Sequence, residues 1–189
     1  MKSILGLNHG EINSSACIVQ GGKVVAGCPE ERFNRQKLTK NFPHQAVDYC
    51  LHAAGVTLNE CEAVAQGWNP GALWIKHNPL VPLTRSGGKS YLYSVPDNLY
   101  HHVERRPGDW LMLDGPTDLP PIYFVNHHRC HAANGFFLSS FDEAAILTCD
   151  WKGELECTSF VHGRGLDLEV LQTQFEPNAL GLFYATITE

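Results

Sequence analysis

Three short apolar runs at the start of the chain, separated by turn signals, constrain the fold more than any other feature. Residues 4–7 end in the polar stretch Asn8-His9-Gly10-Glu11-Ile12-Asn13. Residues 15–20 stop at Gly21-Gly22, and residues 23–28 resume with β-branched side chains. Paired glycines supply the positive φ angles of a two-residue hairpin turn, so the pattern predicts a strand–loop–strand–turn–strand meander.

A helix is expected from Pro43. Ala46, Val47, Cys50, Leu51 and Ala54 recur with helical spacing on one face, and Gly55 stands where a helix closes. Residues 63–66 read as a short strand. Regular patterns return with a strand at 122–125, a helical stretch at 131–137 and a strand at 144–149 running into Asp150. Alternation at 156–161 and 168–173 follows, with Gly163 and Gly165 as the turn between. Strands mixed with crossing helices point to the α/β class. Residues 67–121 have no clear period and hold three of the four tryptophans, so they read as an insertion with short helices. Such an insertion would serve as a lid or substrate wall, or pack on its own aromatics. The last run, from Leu180, is a helical pattern with no stop signal, which suggests a piece of a longer protein.

Composition narrows the function classes. The 189 residues are 43% hydrophobic, enough for a packed core, with a formal net charge of −6. Arg105-Arg106 is the densest basic cluster, which argues against a nucleic-acid surface. No apolar run approaches the ~20 residues of a membrane span. The seven cysteines are odd in number and lack Cys-x-x-Cys spacing, the pattern of buried thiols in a reducing compartment; a cytoplasmic protein is expected.

Two local features could carry chemistry. His127 and His131, in Asn126-His127-His128-Arg129-Cys130-His131, are four apart and would share a helix face, offering two imidazoles to one divalent metal. The same spacing also suits a polar helix start with hydrogen-bonded imidazoles. Asp150, past an apolar strand and followed by Gly153 and Glu154, could hold a cation or simply cap a turn. Together the three resemble part of a facial ligand set for iron or a similar metal. The loop from Asn8 to Ser14 carries no Walker pattern, and spacing alone makes it a hairpin loop. The mixed charges of Glu30-Glu31-Arg32-Phe33-Asn34-Arg35-Gln36-Lys37 read as a solvated face.

At this point the chain resembles the O-carbamoyltransferases that modify nodulation factors and antibiotics. Four blocks in order carry the resemblance: Ile4-Leu5-Gly6-Leu7 with Ser14-Ser15-Ala16-Cys17-Ile18-Val19; the charged block at 30–37 with Phe42-Pro43-His44 and Tyr49-Cys50-Leu51; His127 to Phe137 with Ser140 to Ala145; and Leu180-Gly181-Leu182-Phe183-Tyr184 with Thr188-Glu189.

The resemblance implies a fold of the actin–hexokinase (ribonuclease H-like) type, a mixed sheet with flanking helices, of which this chain holds the first lobe. It implies that a second lobe and a carboxy-terminal domain forming carbamoyl-adenylate lie outside residues 1–189. The activity implied is ATP-dependent transfer of a carbamoyl group from carbamoyl phosphate to a hydroxyl of a small molecule or sugar, with Fe2+ or a similar metal, and Mg2+ beside the nucleotide. His127, His131 and Asp150 become the metal ligands, and a further ligand lies beyond residue 189. Asn8, Ser14, Ser15 and Gly153 become nucleotide contacts, and Asp150 joins the catalytic group. A homodimer is compatible with this reading. Two departures stand out: Ile12 where the family has His, and Trp151 where its Asp-Gly-x-Gly-Glu has glycine. His9 is the candidate to replace the missing imidazole. The alternative is a degenerate nucleotide- or metal-binding module of the same fold.

Overall fold

The computed structural model describes residues 1–10, 13–69, 99 and 119–188. Ile12 and most of the 67–121 insertion lie outside the described residues. Those described fall into two compact units: residues up to Gly67 with Leu99 and 119–124, and Trp68, Asn69 and 125–188.

The first unit is built on the expected meander. β1 (Ser3–Asn8), β2 (Ser15–Gln20) and β3 (Lys23–Pro29) pair antiparallel, with Leu5 opposite Ile18 and Leu7 opposite Ala16. β4 (Ala63–Gln66) joins β1 in parallel, and β5 (Ile122–Phe124) joins β4 in parallel, giving the mixed order β3-β2-β1-β4-β5. Because side chains alternate across a strand, Leu5, Leu7, Ile18, Ala16 and Val64 are buried. β2 and β3 are covered by the helix α2 (His44–Ala54), whose Ala46, Val47, Cys50 and Leu51 are buried. Gly55 ends α2 at φ 66°, a left-handed closure that glycine adopts without a Cβ clash.

The charged block at 30–37 is exposed at Arg32, Arg35, Gln36 and Lys37, as its reading as a solvated face expects, and departs from that reading at Glu30. It opens with the short helix α1 (Glu31–Asn34), and Glu30 is only 3% exposed. Glu30 Oε2 accepts the Ala46 amide at 2.8 Å and Oε1 the Gln45 amide at 3.3 Å. Helix starts leave such amides without partners, and Pro43, at the cap position of α2, has no side-chain acceptor to offer. The glutamate supplies the cap from another segment.

The second unit pairs the helix α3 (His127–Phe137) with an antiparallel sheet of order β6-β7-β8: Glu143–Cys149, Glu156–Arg164 and Asp167–Phe175. Ala132 and Phe136 of α3 pack with Val161 and Leu168 as its core. Gly163 lies in β7, not in the turn predicted for it. A Cβ there would meet the Phe136 ring at 2.9 Å, so the glycine makes room for α3, while Gly165 (φ 59°) takes the turn. The helix α4 (Leu180–Thr188) follows, leaving Phe183, Tyr184 and Ile187 exposed. None of the seven cysteines forms a disulfide, and among the described residues no helix is long and apolar enough to cross a membrane.

Candidate metal centre

His127 opens α3 and His131 follows one turn later, so their rings project from one face. Asp150 comes immediately after β6, where the strand ends in a tight turn closed by two backbone bonds, Asp150 N–H to Cys157 at 2.9 Å and Gly153 N–H to Glu156 at 2.6 Å. That turn puts Asp150 Oδ2 2.8 Å from His127 Nε2 and 3.2 Å from His131 Nε2, while the two Nε2 atoms are 3.0 Å apart. The other oxygen, Oδ1, accepts the Trp151 amide at 2.6 Å.

Hydrogen bonds alone do not account for this triangle. Each imidazole Nε2 carries at most one hydrogen. If both nitrogens donate to Asp150, their own contact sets two N–H groups against each other. If either gives up its hydrogen to accept from the other, its contact with the carboxylate becomes one lone pair against another. A divalent cation removes the conflict. Ligand atoms about 2.1 Å from a metal and about 90° apart are about 3.0 Å from one another. The donor set of two imidazoles and one carboxylate, its donor atoms all within 4.8 Å of one another, fits such an ion.

The electrostatics agree with the geometry. Burial works against an ionised Asp150, but the His127 and Trp151 hydrogen bonds outweigh it and hold the carboxyl below its ordinary range. His128 faces the other way. It is 3% exposed, its Nδ1 lies 2.7 Å from the Thr148 hydroxyl, and burial lowers its pKa, so it is a structural, neutral imidazole. Gly153 is where that ring rests, because a Cβ at this position would lie 2.8 Å from His128 Cδ2.

Around His127 stands a set of groups whose roles the sequence does not assign: Glu154 and Asn126 figure there only as neighbours of Asp150 and His127, and Trp68 and Asn69 not at all. Glu154, 3% exposed, accepts the His127 backbone N–H at 3.0 Å and the Asn69 N–H at 2.6 Å. Asn69 Nδ2 donates to Asn126 Oδ1 at 2.7 Å, and the Trp68 ring packs 5.7 Å from the His127 ring. Trp68 and Asn69 lie where the sequence loses its period, and nothing in their spacing marks them. Trp151 is 57% exposed.

The remaining expected site residues belong to the first unit. Asn8 Nδ2 donates to the Asn13 carbonyl at 3.3 Å. Ser14 is fully buried, its N–H bound to the Thr39 carbonyl and its own carbonyl taken by Glu30, and Ser15 is the half-buried first residue of β2. His9 is 6% exposed, its Nδ1 lies 3.2 Å from Gln66 Oε1, and its ring meets Phe42 edge-on. Burial holds His9 below the ordinary histidine pKa. In this setting His9 is a buried, neutral imidazole.

Residues 3–189 match the family described as Carbamoyltransferase N-terminus. The chain belongs to that family. Its relatives include the uncharacterized protein sll1178 of Synechocystis, 35% identical over 100% of this chain and 32% of that protein. Nodulation protein NolNO of Sinorhizobium fredii is 28% identical over 91% of this chain and 24% of its own length. The chain thus spans a third or less of these two relatives. Among solved structures, YeaZ from Pseudomonas aeruginosa is similar at a TM-score of 0.49 and 15% identity, covering 94% of this chain and 68% of that one.

Proposed function

We propose that this family member is the metal-bearing, group-transferring part of an O-carbamoyltransferase. In this reading a carbamoyl group passes from carbamoyl phosphate, through carbamoyl-adenylate made with ATP, to a hydroxyl of a small molecule or sugar, in the cytoplasm. The observation that carries the reading is the His127–His131–Asp150 triangle in a chain of this family.

His127, His131 and Asp150 would hold Fe2+ or a similar divalent ion. Bound there, the ion would supply Lewis-acid polarisation of a carbonyl or neutralise phosphate oxygens. Helix α3 sets the two imidazoles one turn apart on one face, and Asp150 contributes the negative charge that makes the donor set favourable for a cation. A carboxyl held well ionised is a poor proton acceptor, so Asp150 acts as ligand and charge rather than as base. Within the first unit, Ser15 and the neighbouring hairpin loop are the candidate nucleotide contacts, Mg2+ accompanying the nucleotide.

The test uses the full-length gene product with ATP, Mg2+, labelled carbamoyl phosphate and a panel of sugar acceptors. The expected result is pyrophosphate release and label in an acceptor. His127→Ala with His131→Ala should stop transfer while leaving pyrophosphate release in place. Transfer at the unaltered rate in the double variant would remove the site from the reaction.

One observation favours a second reading, a module that binds nucleotide or metal without catalysing transfer. Trp151 presents a large exposed ring next to Asp150, where the family's pattern has a glycine. Absence of pyrophosphate release in the same assay, with metal still bound, supports that reading.

A further inference from the structure

We propose that Glu154 is a positioning residue of this metal site, fixing the His127 imidazole by holding the first amide of α3 from the turn that delivers Asp150. The inference rests on the metal reading above.

His127 is gripped at both ends by one turn of chain. Its imidazole meets Asp150 at 2.8 Å, and its backbone N–H is 3.0 Å and 3.1 Å from the two Glu154 oxygens. Helix starts fray first, because their amides have no partner within the helix. His127 is therefore the less secure of the two ligands, whereas His131 is one turn inside.

A cap alone would not require this arrangement. Asn126 stands at the cap position of α3 with a side chain of the usual capping type. That side chain would serve the second or third amide, and its Oδ1 is taken by Asn69, whereas the buried acid takes the first amide, that of His127 itself. Burying a carboxylate is costly unless donors surround it, and burial does push the Glu154 carboxyl up. The return on that cost is geometric. Glu154 is four residues after Asp150 in the same turn, so the backbone and the ring of His127 are referred to one rigid piece.

Co2+ is the probe, titrated by its visible absorption into the full-length gene product and into its Glu154→Ala and Glu154→Gln variants. Groups that orient a metal ligand typically contribute about 10–100-fold in affinity. Glu154→Ala should weaken Co2+ binding by that factor and change the spectrum, while Glu154→Gln, which keeps an acceptor oxygen, should stay close to the unaltered protein. The same samples without metal are read by the NOE between the His127 and His131 rings, expected to be lost in Glu154→Ala and kept in Glu154→Gln. A lower Tm for Glu154→Ala with unchanged affinity, spectrum and NOE would reduce Glu154 to a structural cap and overturn the proposal. If Glu154→Ala does not fold, Glu154→Asp, which withdraws the carboxylate by one methylene, takes its place and must show the same losses. Failure of the unaltered full-length protein to bind Co2+ counts against the metal reading instead. The metal-free NOE then decides the positioning role, and its persistence in Glu154→Ala overturns it.

Discussion

The Nε2 atoms of His127 and His131 stand 3.0 Å apart, and both face the same Asp150 oxygen. That contact is unfavourable between two N–H groups and favourable between two metal ligands. It is set by the chain itself: α3 fixes the spacing of the rings, and the turn after β6 brings the carboxylate to them.

That turn has little room to move. A Cβ on Gly181 of α4 would lie 2.5 Å from the Asp150 carbonyl carbon and the Trp151 nitrogen, and backbone cannot swing aside as a side chain can. Gly181→Ala should therefore displace Asp150 and weaken metal binding. Gly153→Ala meets the His128 ring at 2.8 Å and should cost about 1–3 kcal/mol of stability by overpacking. Metal titration and urea unfolding of the two variants separate the effects. Unaltered Co2+ affinity in Gly181→Ala would show that the turn can yield.

Glu30 should matter to stability and to nothing at the metal centre. Glu30→Ala leaves the Gln45 and Ala46 amides of α2 without their acceptor. Losing a partner for buried donors costs about 1–3 kcal/mol. Equilibrium urea unfolding should show a loss of this size, and a change within error would mean that water reaches the α2 start.

His9 gives the fold a dependence on pH. Its pKa is lowered in the folded chain from the ordinary 6.5, chiefly by burial. The unfolded chain therefore takes up a proton first as pH falls. The stability tied to a neutral His9 is fully present above pH 6.5 and is lost as pH drops from there through the folded value. Unfolding free energies measured from pH 7.5 downward should fall more steeply for the unaltered chain than for His9→Gln. Parallel curves would place the sensitivity elsewhere, His128 being the next buried imidazole.

The first strands were legible as short apolar runs bounded by turn signals, and the two-residue period emerges only in their burial. Leu5, Leu7, Ile18 and Ala16 alternate with half-exposed neighbours, and Gly21-Gly22 fixes the turn. α2 was legible through Ala46, Val47, Cys50 and Leu51. The start of α3 was harder, since His127 and His128 carry no apolar period and the first amide of the helix is accepted by Glu154, four residues past Asp150. Glu30 and Glu154 were the least legible, because a glutamate reads as surface unless its partners are known. Those partners are backbone amides, which no sequence displays. The spacing of His127 and His131 pointed to a shared face, but the approach of Asp150 depends on the β6–β7 turn, a tertiary feature.

The central claim is that His127, His131 and Asp150 hold a divalent metal. Its most direct test is the metal content of the full-length gene product purified without oxygen, beside the His127→Ala, His131→Ala variant. The account predicts near-stoichiometric iron, or a similar divalent ion, in the unaltered protein and its loss in the folded variant. A metal-free protein that takes up no added Fe2+, or a variant that retains its metal, would contradict it.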